Sequence, residues 1–385
     1  MNVAVFVGLV CGLFALGGCR EESVSLPAGG DIAAAAAASS ALDAVAVLRE
    51  EQHDNYAIYY TADEYQELLR EVTGSYSGIG IYVYPDDATG RTMIYGVMKN
   101  GPAYQAGLLP GDIFLEVNGE DLRGLSYDAV SEKLTTYPEG TKLKLLMERC
   151  ADDGTVAEVE IAVRTAKVDI PTMDYKLLED GIGLIRIESF NMTTGEQFAA
   201  AYDDLVGQDM RGLIIDLRNN GGGEVTAALK ICDYFVPKGE PLMHIVDSTG
   251  VYYYSAAQKA VDMPLVILQN GHSASASEIL IGAVHDNGAG TTIGETSYGK
   301  GIVQDLVQLP SGAGLRFTSA QYKTSHNNYI HECGIEPDIY YPMPEDADPL
   351  AMYSMDTAID PQLVKACETL RDMMAADTAS DEQAQ

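Results

Sequence analysis

The chain has 385 residues, of which 46% are hydrophobic, so it holds enough apolar material for more than one core. A single core seldom organises a chain of this length, and we therefore expect two or three domains. The formal net charge of -33 at pH 7 argues against nucleic acid as a partner, because Lys and Arg must neutralise phosphates in such complexes.

The N-terminus has the features of an export signal. An apolar run over residues 3–18 is too short for a comfortable membrane span and leads into the sequence LGGC, which ends at Cys19. This resembles a bacterial lipoprotein signal, which implies that residues 1–18 are removed and that Cys19 carries a lipid anchor in the membrane. An ordinary secretory signal or an uncleaved anchor is the alternative, because no Lys or Arg precedes the apolar run. All these interpretations predict an exported protein of the cell envelope, facing the periplasm or the exterior.

Two short segments follow the signal. Residues 19–45 begin with polar, Gly and Pro residues and become Ala-rich, which predicts a tether or linker. The pattern of residues 46–74 predicts a small N-terminal helical segment that ends at Gly74. Its apolar side chains recur at i, i+3, i+4 and i+7, at positions Tyr65, Leu68, Leu69 and Val72.

Residues 75–166 consist of short apolar and β-branched runs separated by Gly, Pro and Asp, which predicts a compact β-barrel-like module. Within it, the sequence GPAYQAGLLPGDIFLEVNGEDL resembles a PDZ domain. The resemblance implies that the loop containing Gly78 and Gly80 holds the C-terminal carboxylate of a protein or peptide through backbone N–H groups, although a plain turn is the alternative. The apolar side chains that would line a pocket for the last residue of that ligand are Ile79, Ile81, Val130 and Leu134.

Residues 167–345 alternate between strand and helix patterns, which predicts an α/β (mixed α+β) core with its active groups at strand ends. The predicted strands are GIGLIRIESF, RGLIIDLRNN, PLVILQN and TTIGETS, and the predicted helices are TTGEQFAAAYDDLVG, EVTAALKICDYFV and SASEILIGAVHDNG. Residues 346–385 predict a C-terminal helix and an acidic tail, and we expect the last nine residues, DTASDEQAQ, to be disordered.

Four cysteines lie outside the predicted signal, at Cys150, Cys232, Cys333 and Cys367. They show no CxxC spacing, so no metal site is indicated. Export permits disulfides, but four cysteines allow three pairings and the sequence does not choose among them. We therefore expect buried free thiols.

The stretch GETSYGKG, residues 294–301, is close in spacing to a phosphate-binding P-loop. A P-loop needs Ser or Thr after its Lys and a helix that begins there. Here Gly301 follows Lys300, and the next residues, IVQDLVQL, alternate like a strand. A nucleotide-binding ATPase is therefore disfavoured, and Lys300 is available for other chemistry.

Ser275 lies between a predicted strand and a predicted helix, which is where many hydrolases hold an exposed nucleophile. A capping box with Glu278 is the alternative explanation of the same residues. The glycine cluster of IDLRNNGGG also follows a strand, and its backbone N–H groups can converge on a developing negative charge. Lys300 and Gln304 lie on one face of an alternating strand, so the amide can orient the amine.

The motifs SASASEI, GETSYGKGIVQ, DLRNNGGG and GIEPDI resemble those of the C-terminal processing peptidases, also called tail-specific proteases. The resemblance covers the PDZ module and the whole α/β region. It implies that Ser275 is the nucleophile, Lys300 the general base and Gln304 the residue that positions the lysine. A lysine acts as a base only when burial lowers its pKa toward neutrality, and the small and apolar neighbours of Lys300 suit such burial.

By the same resemblance, the oxyanion hole consists of the N–H of Ala276 and that of Gly221 or Gly222. A histidine base is the alternative, since His272 precedes the serine by three residues and His285 lies in the following helix. Neither histidine has a carboxylate partner that the sequence fixes.

The sequence therefore predicts an exported, lipid-anchored serine endopeptidase. It would capture the apolar C-termini of protein substrates through its PDZ domain and cleave them with a Ser/Lys dyad. No metal, no organic cofactor and no nucleic acid are expected. A homo-oligomer is compatible with the sequence, which does not determine the oligomeric state. A PDZ scaffold with an inactive protease domain is the alternative function.

Overall fold

A computed structural model describes residues 7–8, 54–86, 89–99, 101–151, 153–348 and 350–384. The predicted signal, apart from Val7 and Gly8, lies outside these residues, as do the predicted tether and Cys19. The chain forms two compact units. The small unit is Gly74–Ile170, and the large unit comprises the described residues up to Thr73 and from Pro171 onward.

The elements are numbered in chain order. The strands are β1 (Val7–Gly8), β2 (Ile58–Tyr60), β3 (Ser75–Gly78), β4 (Ile81–Pro85), β5 (Thr92–Val97), β6 (Ile113–Val117), β7 (Glu120–Asp121), β8 (Lys142–Cys150), β9 (Val156–Arg164), β10 (Ala166–Asp169), β11 (Met173–Leu177), β12 (Ile182–Ile187), β13 (Gly212–Asp216), β14 (Pro241–Asp247), β15 (Gly250–Ser255), β16 (Leu265–Gln269), β17 (Thr291–Gly294), β18 (Ile302–Gln308), β19 (Gly314–Lys323) and β20 (Ile339–Tyr340). The helices are α1 (Ala62–Thr73), α2 (Pro102–Ala106), α3 (Tyr127–Thr135), α4 (Thr194–Gly207), α5 (Val225–Phe235), α6 (Ala276–Asp286) and α7 (Pro361–Ala384).

The small unit is built on an antiparallel sheet in the order β4-β5-β6-β8-β9, with β7 beside β6 and a separate β3–β10 pair. Helix α3 starts at Ser126, whose Oγ accepts the Ala129 N–H and so caps the helix. Alternate residues of β6 and β8 point into one core, which includes Phe114, Leu143 and Met147. The predicted β module is thus confirmed, although the sequence analysis missed β9.

A largely parallel sheet forms the centre of the large unit, in the order β11-β12-β13-β16-β17-β20. Its middle strands are buried on both faces, as parallel strands require. One face packs against α4, α5 and α6, and the other packs against α7. The mixed α/β core is confirmed, and the carboxyl ends of the neighbouring strands β13 and β16 meet at one edge of the sheet.

A second, antiparallel sheet completes the large unit in the order β1-β18-β19-β14-β15, with β2 paired to β19. Only β18 was predicted for it. Helix α1 packs against Leu306 of β18 through Tyr65, Leu68 and Val72, which is the apolar stripe that the sequence predicted. This sheet brings the segment after Lys300 next to the N-terminal residues 54–60.

One expectation is wrong, and the expectation of buried free thiols is confirmed for only two of the four cysteines. The last nine residues were expected to be disordered, but α7 continues to Ala384, and this stretch contains no Gly or Pro that would end a helix. Free buried thiols are found at Cys232 and Cys367, whereas Cys150 is free but exposed and Cys333 takes part in a disulfide.

Within the described ranges, no helix has the length and apolar character needed to cross a membrane. Among the same residues, no group of three or more His, Cys, Asp or Glu side chains is placed to hold a metal ion.

Candidate active site

Ser275 occupies a strained turn between β16 and α6. Its backbone has φ 55° and ψ -111°, a left-handed conformation that non-glycine residues rarely adopt and that costs about 1–3 kcal/mol. The side chain is 1% exposed, and its Oγ has no hydrogen-bond partner in the structure. Such backbone strain is typical of a nucleophile at a strand-to-helix turn, but the expected exposed side chain is not found, because Ser275 is buried.

Hydrogen bonds fix the glycine loop after β13 beside this turn. Asn270 donates from Nδ2 to Asn219 Oδ1 at 2.9 Å, and the Asn219 N–H donates to Asn270 Oδ1 at 3.0 Å. The Ala274 N–H also donates to the carbonyl of Asn220 at 3.0 Å. The two loops that the sequence singled out are therefore neighbours, because their strands are adjacent and parallel.

The two candidate oxyanion glycines have different surroundings. Gly222 has φ 96°, and a Cβ on it would lie 2.6 Å from the Ala274 carbonyl oxygen and 2.9 Å from the Ala276 nitrogen, so only glycine fits. Its N–H donates to Asn220 Oδ1 at 2.8 Å. Gly221 is exposed, with open space where a Cβ would be. Ala276 is the first residue of α6, so its N–H has no acceptor within the helix.

Lys300 and Gln304 are in contact. The lysine is 1% exposed and donates from Nζ to Gln304 Oε1 at 3.1 Å, and Gln304 itself is fully buried. Lys300 lies just before β18, and Gln304 lies in that strand next to a β-bulge. The amide group therefore fixes the direction of the amine inside the protein.

Glu278 joins the serine and lysine segments. Its Oε2 accepts the N–H of Ser275 and the N–H of Lys300, each at 2.8 Å, so these two nitrogens lie within twice that distance of each other. Its Oε1 accepts Ser297 Oγ and the Gly299 N–H, each at 2.6 Å. Burial raises the pKa of the Glu278 carboxyl, and these four hydrogen bonds act against the rise. The capping box predicted for Glu278 accounts for only one of these four bonds, the one from the Ser275 N–H.

Two more residues support the site and were missed by the sequence analysis. Tyr322 of β19 is buried and donates from its hydroxyl to the Ser275 carbonyl at 3.0 Å. Burial raises the pKa of this phenol well above 10, so it stays a donor. Arg218 lies in the glycine loop and bonds the buried carboxylates of Asp216 at 2.7 Å and Asp360 at 2.6 Å. Although burial acts to lower it, these carboxylates raise the pKa of Arg218.

The two alternative bases have other surroundings. His272 is exposed, and its backbone N–H donates to Asn270 Oδ1 at 3.1 Å. His285 lies near the far end of α6, between Asp286 at 3.2 Å and Asp338 at 3.5 Å. Neither ring hydrogen-bonds Ser275, whose Oγ is without a partner.

The residues predicted to bind a peptide all lie in the small unit. Gly78 ends β3, and Gly80 follows with φ 75°. Three of the predicted apolar pocket residues belong to the core of the unit, namely Ile79, Val130 and Leu134, and Ile81 packs partly buried against that core. The peptide pocket therefore stays a prediction, with Ile81 as its most accessible apolar member.

Comparison with known proteins finds similarity to one peptidase family and to PDZ domains. Residues 181–341 match the model of peptidase family S41, and residues 93–149 match a PDZ domain model. Over residues 181–341 the chain is therefore similar to peptidase family S41. The S41 match contains the serine turn, the glycine loop and the lysine strand, so the site described above lies inside the region shared with the family.

Several curated relatives support this placement. The carboxy-terminal processing protease CtpA of Bacillus subtilis is 31% identical over 297 residues, which cover 76% of this chain and 62% of the relative. The carboxyl-terminal-processing protease of Synechocystis is 33% identical over 282 residues, covering 72% of this chain and 65% of the relative. The chain thus spans a little under two thirds of their lengths. A putative S41 protease from Bacteroides fragilis shares the fold, with a TM-score of 0.50, 15% identity and coverage of 91% of this chain and 94% of that one.

Proposed function

We propose that the protein is a serine endopeptidase in which Ser275 is the nucleophile, Lys300 the general base and Gln304 the residue that orients the lysine. The proposal rests on the hydrogen bonds of Glu278, whose Oε2 accepts the backbone N–H groups of both Ser275 and Lys300. A buried carboxylate used in this way holds two distant segments of the chain together at the unpartnered hydroxyl. The match of residues 181–341 to a peptidase family supports the same interpretation.

The reaction follows from the chemistry of these groups. The neutral amine of Lys300 accepts the proton of Ser275 Oγ while that oxygen attacks the carbonyl carbon of the substrate. Lys300 then passes the proton to the leaving nitrogen as the C–N bond breaks, which leaves an acyl-enzyme. Water, deprotonated by Lys300, attacks the carbonyl carbon of the ester, and Lys300 returns that proton to Ser275 Oγ as the C–O bond breaks. The N–H of Ala276, at the positive end of the α6 dipole, would stabilise the oxyanion together with Gly221 or Gly222.

Substrate selection is assigned to the small unit. A PDZ domain binds C-terminal carboxylates by backbone N–H groups and adds the peptide to a sheet edge, so substrates would be proteins with apolar C-termini. We propose that the protein is exported and anchored to a bacterial membrane through a lipid on Cys19, facing the periplasm or the exterior. The competing function is a PDZ scaffold whose large unit is inactive.

The test uses the purified full-length chain in detergent and a denatured protein that ends in apolar residues. The proposal expects cleavage by the parent protein and loss of cleavage in both Ser275→Ala and Lys300→Ala. Undiminished cleavage by Lys300→Ala would refute the dyad, and no cleavage by the parent would favour the scaffold. The inactive Ser275→Ala variant should still bind a peptide with a free apolar C-terminus, and amidation of that C-terminus should weaken binding.

A further inference from the structure

The segment of residues 54–60 lies against the lysine side of the candidate active site. We propose that it is part of the catalytic machinery and that Asp54 is a positioning residue for Lys300. Asp54 would act through the carbonyl of Tyr56 and the side chain of Gln304. This inference rests on the proposed function, since it explains how the base of the dyad is kept in place.

Asp54 anchors the segment on β19. Its side chain is 2% exposed, with Oδ2 accepting the Thr318 N–H at 2.7 Å and Oδ1 accepting the Thr318 hydroxyl at 2.9 Å. Oδ1 also accepts the Tyr56 N–H at 3.0 Å, and the Asp54 carbonyl accepts the Ala57 N–H at 3.2 Å. The carboxylate thus closes a turn and ties it to one residue of the neighbouring strand. Burying a carboxylate is unfavourable unless hydrogen bonds satisfy it, and here Thr318 donates two such bonds and Tyr56, in the turn, donates the third.

Asp54 binds β19 directly opposite Gln304, the hydrogen-bond partner of Lys300. Thr318 of β19 is the cross-strand neighbour of Gln304 of β18. The turn held by Asp54 therefore presents the Tyr56 carbonyl to Gln304, whose Nε2 donates to it at 3.2 Å. Displacing the turn would therefore move the Tyr56 carbonyl away from Gln304 Nε2.

The Tyr56 carbonyl determines which way the Gln304 amide faces. A glutamine amide has a donor end and an acceptor end, and a carbonyl can only accept. The donor end of Gln304 is therefore fixed at Tyr56, which leaves Oε1 toward Lys300, where it accepts from Nζ at 3.1 Å. Without the carbonyl, the amide can flip and present an N–H₂ group to the amine, which removes the acceptor that orients it.

The Tyr56 side chain also covers the lysine. Its ring centre lies 5.8 Å from Lys300 Nζ and 6.1 Å from the ring of His331, which it meets edge to face. The segment therefore contributes both the acceptor that fixes Gln304 and part of the wall that keeps water from the amine. Both contributions depend on the same anchor at Asp54.

A double-mutant cycle on the full-length chain tests the inference. We expect Asp54→Ala to lower kcat by roughly tenfold to a hundredfold, the scale of a misplaced catalytic group, with little change in KM. In the Gln304→Ala background, Asp54→Ala should cause no further loss, because both changes break the same relay. Asp54→Asn, which keeps one acceptor oxygen, should restore part of kcat.

Controls separate positioning from folding. Glu64→Ala removes the hydrogen bonds between Glu64 and Thr61 at the exposed start of α1, which loosens the same N-terminal region without touching Gln304. It should leave kcat unchanged. If Asp54→Ala yields no folded protein, Thr318→Val removes one anchoring bond and should give a smaller loss of kcat.

The inference is overturned if folded Asp54→Ala keeps the parental kcat, or if it loses the same factor in the parent and Gln304→Ala backgrounds. A parental kcat in Asp54→Ala, with Lys300→Ala inactive, refutes the relay alone. Cleavage that survives in Lys300→Ala refutes the proposed dyad instead, so the two failures are distinguishable.

Discussion

Replacing Glu278 with glutamine tests whether one buried carboxylate holds the site together. The substitution preserves shape but removes acceptor capacity at one of the two oxygens. Each of these oxygens accepts two hydrogen bonds, from Ser275 and Lys300 on one and from Ser297 and Gly299 on the other. In Glu278→Gln, the new N–H₂ group faces two donors that it cannot satisfy.

The expected size of the effect follows from the count of lost acceptors. A buried donor left unsatisfied costs about 1–3 kcal/mol, so two of them destabilise the large unit by roughly 2–6 kcal/mol. Removing a buried charge offsets part of this loss, since burial disfavours the ionised carboxyl. Because either segment would shift, we also expect kcat to fall by about a hundredfold.

Urea unfolding and steady-state cleavage measure the two effects separately. Glu196→Gln is a matched control on the same unit, because it breaks an exposed ion pair with Lys230 that is worth about 1 kcal/mol or less. If Glu278→Gln unfolds at the parental urea concentration and cleaves at the parental rate, the carboxylate is not what joins the serine and lysine segments.

Three further outcomes are expected. Gly222→Ala should abolish most cleavage activity, because its Cβ would lie 2.9 Å from the Ala276 nitrogen. Gly221→Ala has open space for its Cβ and should change the free energy of unfolding by about 0.5 kcal/mol or less. An equal loss of cleavage activity in the two variants would contradict this geometry. Arg218→Met leaves two buried carboxylates unpaired and should cost about 3–5 kcal/mol in urea unfolding, with Arg218→Lys recovering only part. A hydrogen bond to Asp286 raises the pKa of His285 in the folded protein. The protonated histidine therefore stabilises the folded state fully below about pH 6.5, and this stabilisation is lost as the pH rises through the raised pKa. His285→Asn should therefore destabilise the protein at pH 5.5 by up to about 1 kcal/mol and have no effect at pH 8.5, and a loss equal at both values would refute this.

The sequence could predict the parts of the fold that follow local patterns. The middle strands of the parallel sheet are continuous apolar runs, α1 has a regular apolar stripe, and Ser275 lies where a strand meets a helix. These signals need only neighbouring residues. The strand pair β14–β15 was missed, because β15 is a polar and aromatic run that is exposed on both faces and so lacks the alternation of a half-buried strand.

The supporting contacts of the site could not be predicted in this way. Glu278 bonds residues about twenty positions away, and Gln304 bonds the Tyr56 carbonyl across 248 positions. A carbonyl carries no sequence signal, since every residue has one. Glu278 does fit a local motif, the capping box, and that motif concealed its wider role.

The pairing of Arg218 with Asp360 has a consequence for biosynthesis. The two residues are 142 positions apart, so a growing chain contains the arginine long before its second carboxylate. At ordinary translation rates the interval lasts roughly 7–30 s. During that time the guanidinium in the glycine loop lacks Asp360, the carboxylate that immediately precedes α7. The order in which the chain emerges thus delays the assembly of a competent site until almost all of the protein has been made.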